Sequence, residues 1–85
     1  MVNNLFAQSS ISGNVFDKST GEALIGANVV VPGAGRGVVT DISGSFSINM
    51  NKKKNPEIIV SYVGYDPVII NISDSNHVSV ALSIA

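Results

Sequence analysis

The chain has 85 residues, 45% of them apolar and 13% charged, with a net charge of −1, one histidine and no cysteine. A domain of this size buries little more than about 60% of its unfolded surface, so its core must be thin, and its many valines and isoleucines suit the space between two sheets. Composition excludes several classes: nucleic-acid binding lacks a basic stripe, disulfides and thiolate zinc sites lack cysteine, and no apolar run approaches the ~20 residues of a membrane-spanning helix, so no direct membrane insertion is expected.

Residues 1–9 read as a leader. Leu5-Phe6-Ala7-Gln8 has the apolar-then-small pattern that closes an export signal, which makes the segment a signal-peptide remnant or a disordered tail, and the domain is assigned to 10–85. Ile11 to Phe16 is expected as the first strand, with Ile11, Gly13 and Val15 on the inner face; a glycine there implies that another backbone passes close by. Asp17 to Glu22 is a polar turn, after which Leu24 and Ile25 return to the interior. Asp17-x-Ser19-x-Gly21 matches only the start of a calcium loop, because Asn28 stands where an EF-hand needs its glutamate.

Gly26 opens a second strand, Ala27 to Val31, ended by Pro32 and Gly33. The alternating glycines Gly33, Gly35 and Gly37 lack the lysine and hydroxyl pair of a phosphate loop and read as a flexible connection. Val38 and Val39 form a short third strand, with Arg36 facing solvent. From Thr40 to Met50 the chain turns and enters a fourth strand. Asp41 is expected to accept from the backbone N–H of Ser43 or Gly44, Gly44 to take a positive φ, and Phe46, Ile48 and Met50 to face inward opposite Ser45, Ser47 and Asn49. Lys52, Lys53 and Lys54 fall in a solvated loop tip. Glu57 to Val63 and Val68 to Ile72 follow as the fifth and sixth strands around the turn at Gly64-Tyr65-Asp66-Pro67. Ser73 to Asn76 turns the chain again, and His77 to Ile84 is the last strand, with His77 at the surface. Seven short strands separated by turn clusters describe an all-β, two-sheet sandwich.

Four ordered segments carry a family resemblance: Gly13-x-Val15-x-Asp17; Thr20-Gly21-Glu22-x-Leu24-x-Gly26-Ala27-x-Val29; Gly37-x-x-Thr40-Asp41-x-x-Gly44-x-Phe46-x-Ile48; and Val60-Ser61-Tyr62-Val63-Gly64-Tyr65. Together, over about Ile11 to Ile84, they resemble the carboxypeptidase regulatory-like domain. The resemblance implies a transthyretin-like, seven-strand Greek-key β-sandwich in which Val15, Asp17, Gly26, Val29, Thr40, Asp41, Gly44, Phe46, Gly64 and Tyr65 are structural motif residues. The version with Leu-x-Gly-Ala-x-Val and Ser-Tyr-Val-Gly-Tyr is similar to the domain preceding the plug in SusC- and RagA-type TonB-dependent transporters of Bacteroidetes. That implies a periplasmic N-terminal domain attached to the outer membrane. Its protein partner would be the plug or barrel of its own transporter, or a periplasmic protein. In such transporters a TonB-contacting segment, a plug and a barrel follow, so these residues are expected to be a piece of such a chain or the same module in another setting.

With one histidine and no close carboxylate pair, no catalytic, cofactor or metal site is expected. A transthyretin-related hydrolase would need several histidines and an arginine around a cleft. The family alternatives are an accessory domain of a metallocarboxypeptidase and a structural or adhesive spacer in a bacterial surface protein. For the expected interaction role, alternation in the fifth and sixth strands directs Ile59, Val63 and Ile69 outward as an apolar patch against which a partner or the next domain packs. Pairing of an extended peptide with a sheet edge is a second mode.

Overall fold

A computed structural model describes residues 9–33, 36–50, 57–72 and 77–85. They form seven strands: β1 (Ser9–Asp17), β2 (Asn28–Val31), β3 (Arg36–Val39), β4 (Ser45–Met50), β5 (Glu57–Ser61), β6 (Val68–Asn71) and β7 (His77–Leu82). One sheet has the order β4-β1-β7 and the other β3-β2-β5-β6. All neighbours are antiparallel except β1 and β7, which run parallel with Ser12 opposite His77 and Asp17 opposite Leu82. Only β2-β3 and β5-β6 are consecutive pairs within a sheet, and every other connection crosses between the two layers.

The period of two that marks each strand in the sequence is what closes the sandwich. Ile11, Val15, Phe46, Ile48, Val80 and Leu82 from one sheet meet Val29, Val31, Ile58, Val60 and Ile72 from the other side in a single apolar cluster, joined by Leu24 and Ala27. Val15, Val29, Ile58, Val60, Val80 and Leu82 are essentially inaccessible, each contributing about 1.5–3 kcal/mol of transfer free energy before entropic costs. Gly13 sits on this inner face for want of space: a Cβ there would overlap the Val78 carbonyl oxygen and lie 2.9 Å from the Phe46 ring.

Strand ends shift from their expected positions. β1 extends to include Asp17, which is buried and not part of a solvated turn. β2 starts at Asn28, after Gly26, and β3 starts at Arg36. β5 stops at Ser61 because a turn closed by the Tyr65 N–H on the Tyr62 carbonyl oxygen takes over. β6 stops at Asn71, and β7 at Leu82, beyond which Ile84 makes an isolated bridge with Tyr65. Ile25 is exposed and not interior, since the Ile25-Gly26 turn swings it outward while Leu24 fills the core. Residues 1–8 of the leader, the Gly35 connection, the Lys52–Lys54 loop and the turn at 73–76 lie outside the described residues, while Ser9, assigned to the leader, is the first residue of β1.

Candidate interaction surface

The motif residues are placed first by backbone chemistry. Asp41 accepts from the backbone N–H groups of Ser43 and Ser45 through one carboxylate oxygen, both at 2.9 Å, and its own carbonyl takes the Gly44 N–H. Gly44 stands at φ +76°, and a Cβ there would sit 2.7 Å from the Val15 carbonyl oxygen, so strain and crowding both require glycine. The turn thus aims Phe46 into the core. Thr40 is 3% exposed, and its hydroxyl donates to the Leu24 carbonyl oxygen while accepting from the Ala27 N–H at 2.9 Å. Around it, the Gly26 N–H donates to the Thr40 carbonyl and the Thr40 N–H to that of Ala27. One side chain therefore stitches the segment before β2 to the end of β3.

Asp17 and Tyr65 form the other polar fastening, and its partners are 48 residues apart. The Tyr65 hydroxyl donates to Asp17 Oδ2 at 2.6 Å, and Oδ1 accepts from the N–H groups of Ser19 and Thr20 at 2.7 and 3.0 Å. The tyrosine bond, then the Thr20 N–H, hold the Asp17 carboxyl below its ordinary range, against the opposing effect of desolvation. The Tyr65 phenol is pushed up to about 12, first by the same bond and then by desolvation. Tyr62 packs on Tyr65 with ring centroids 5.6 Å apart. Every buried side-chain nitrogen or oxygen among the described residues has a hydrogen-bond partner, so these groups fasten loops to strands.

Ile59 and Ile69 are direct cross-strand partners on the outer face of the four-stranded sheet. Val63 is 85% exposed but lies in the turn beyond β5, outside that row. Val30 belongs to the row and was missed: it pairs with Ile59 on one side and Gly37 on the other, so Gly37, Val30, Ile59 and Ile69 run across all four strands. Val30 is 40% and Ile69 63% exposed, with Ile59 half-buried between them. The signal was the position of Val30 between Val29 and Val31, which alternation alone places inward. His77 is exposed, with its Nδ1 3.4 Å from the Ser12 hydroxyl.

Comparison with known proteins bears on what such a surface serves. The model of the CarboxypepD_reg-like domain family matches residues 11–85. The chain is 42% identical over 62 residues to the TonB-dependent receptor SusC of Bacteroides thetaiotaomicron, covering 73% of this chain and 6% of that receptor. It is 31% identical over 81 residues to the TonB-dependent receptor P39 of Formosa agariphila, covering 95% of this chain and 8% of that protein. Among solved structures, a Bacteroides fragilis protein of unknown function, thought to be membrane-associated, superposes with a TM-score of 0.68 at 26% identity, over 95% of this chain and 29% of that one.

Proposed function

The chain belongs to the CarboxypepD_reg-like domain family, and from that premise we propose that it is a non-catalytic interaction module, the periplasmic N-terminal domain of a TonB-dependent outer-membrane transporter for glycans or peptides. The observation that carries this reading is the 42% identity to SusC across 73% of the chain. The chemistry of the polar side chains supports it, since Asp17, Thr40, Asp41 and Tyr65 spend their hydrogen bonds on the domain's own backbone and on each other. A group committed in this way serves the fold and not a substrate.

On this reading the domain works by contact. The row Val30, Ile59 and Ile69, with Val63 beyond its end, is where the remainder of the transporter or a periplasmic partner packs. The test is deletion of residues 11–84 from the parent protein, with growth on the imported nutrient and the amount of receptor in the outer membrane both measured. Loss of uptake, or of assembled receptor, is expected. Wild-type growth and wild-type abundance would defeat the reading.

A further inference from the structure

The two sheets end in four edge strands: β4 and β7, β3 and β6. An edge presents a row of unpaired backbone groups and is normally guarded. β3 and β6 have four residues each, and β6 follows directly on Pro67, which has no N–H to offer. The end of β7 is shielded by the 64–66 segment: Tyr65 bridges Ile84, the Asp66 N–H reaches the Ser83 carbonyl oxygen at 2.9 Å, and the Ala85 N–H that of Gly64 at 3.0 Å. Among the described residues β4 has none of these guards. Its six residues, Ser-Phe-Ser-Ile-Asn-Met, contain no charge and no proline, and keep an unbroken register against β1.

The phase of that pairing is fixed by the Val15 N–H, which donates to the Gly44 carbonyl oxygen at 2.8 Å. In an antiparallel ladder hydrogen-bonded pairs alternate with non-bonded ones. Phe46, Ile48 and Met50 therefore direct their backbone groups at β1, whereas Ser45, Ser47 and Asn49 direct theirs away from it. Ser45 is already occupied, its N–H by the Asp41 carboxylate and its carbonyl by the Asp41 N–H. The N–H and C=O of Ser47 and Asn49 have no partner among the described residues. Four groups at two-residue spacing make the template for an added strand.

We infer that the free edge of β4 is the docking strand for an extended segment of the same receptor polypeptide, which joins the three-stranded sheet as a fourth strand; this rests on the transporter reading above. Its residues alternate in character. Those beside Ser47 and Asn49 are polar, and those beside Ile48 are apolar, turned toward the half-buried Val38 on the neighbouring β3. The occupant follows from size. From Ser47 to Met50 the open edge is about 13 Å long at about 3.3 Å per residue, and two such edges meeting about a two-fold axis fall far short of the ~1,200 Å² of a stable dimer. A covalently tethered segment needs no such area, because the tether supplies an effective concentration in the millimolar range.

Hydrogen exchange decides the matter. In the 85-residue chain alone, the amides of Ser47 and Asn49 exchange freely while those of Phe46 and Ile48 are protected. In the full-length receptor, Ser47 and Asn49 slow by at least about tenfold. Ser47→Pro removes an N–H that the sheet itself does not use, and in the full-length protein it returns Asn49 to fast exchange; if that variant does not fold, the wild-type comparison still stands. Equal, fast exchange in both contexts overturns the inference, as does protection in the isolated chain that grows with its concentration, the mark of a second copy. Protection at Ser47 and Asn49 with uptake indifferent to deletion of the domain would uphold the docking strand and defeat the transport role; the reverse outcome would do the opposite.

Discussion

Replacing Thr40 by valine changes almost nothing in shape and removes one hydroxyl. That hydroxyl is the sole side-chain partner of two backbone groups, the Ala27 N–H and the Leu24 carbonyl oxygen, and the surroundings are dry, with Ala27 at 0% and Leu24 at 7% exposure. An isosteric valine leaves both groups unsatisfied, and each buried orphan costs about 1–3 kcal/mol. Recovery of some bonding by local shifts brings the expected loss to about 2–4 kcal/mol. For a domain this small that is a large part of a total of roughly 5–15 kcal/mol, and it lowers the melting temperature by about 8–32 °C at ~4–8 °C per kcal/mol. Urea unfolding followed by circular dichroism measures it, with an unchanged m-value expected because the same surface is exposed on unfolding. Thr40→Ser, which keeps the hydroxyl, should avoid most of the loss that valine incurs. If Thr40→Val unfolds within about 0.5 kcal/mol of wild type, or if serine and valine behave alike, the stitch between the two segments is not what holds this corner.

Four other outcomes follow from the geometry. The Tyr65 phenol, pushed up to about 12 from 10.0 by its bond to Asp17, keeps its proton longer in the folded chain than in the unfolded one; its contribution is whole below pH 10 and is lost between pH 10 and about 12, so alkaline unfolding should be shallower in Tyr65→Phe. Asp17 has the opposite sense: its lowered pKa means a contribution present above the ordinary carboxylate value of about 3.9 and lost as the pH falls through the folded value. Asp17→Asn should therefore flatten the acid limb of a pH–stability curve. Gly13→Ala places a methyl group on the Val78 carbonyl and the Phe46 ring, and a drop of at least about 1–3 kcal/mol in denaturant stability is expected; an unchanged midpoint would mean that β7 yields freely. Ile69→Lys, at a position 63% exposed, should leave stability within about 0.5 kcal/mol while reducing uptake by the parent receptor, and outright unfolding would show that Ile69 is core.

The layers of this fold were legible because each face is written in a two-residue period. Ile58 and Val60 point inward and Ile59 outward, as alternation requires, and the Asp41-Gly44 turn follows from local chemistry within a few residues. Alternation carried past Ser61 put Val63 in one row with Ile59, whereas it stands exposed in the turn beyond β5, because a turn breaks the pleat and resets the direction of the side chains. Ile25 was misjudged for the same reason. Long-range polar choices were not legible. Nothing near Asp17 announces a tyrosine 48 residues away, and Thr40 looks in sequence like any turn threonine until Leu24 and Ala27 are brought beside it. The parallel alignment of β1 and β7 likewise has no local signature, since parallel pairing depends on how the whole chain returns and not on a hairpin.

That alignment has a mechanical meaning. Because β1 and β7 run side by side in one direction, the polypeptide enters the domain at one pole and leaves it at the opposite pole. A pull on the two ends drags these strands past each other lengthwise, so the ladder from Ser12 and His77 to Asp17 and Leu82 bears the load as a whole and cannot be unzipped rung by rung. Along that axis the six residue pairs between β1 and β7 are loaded together, in shear.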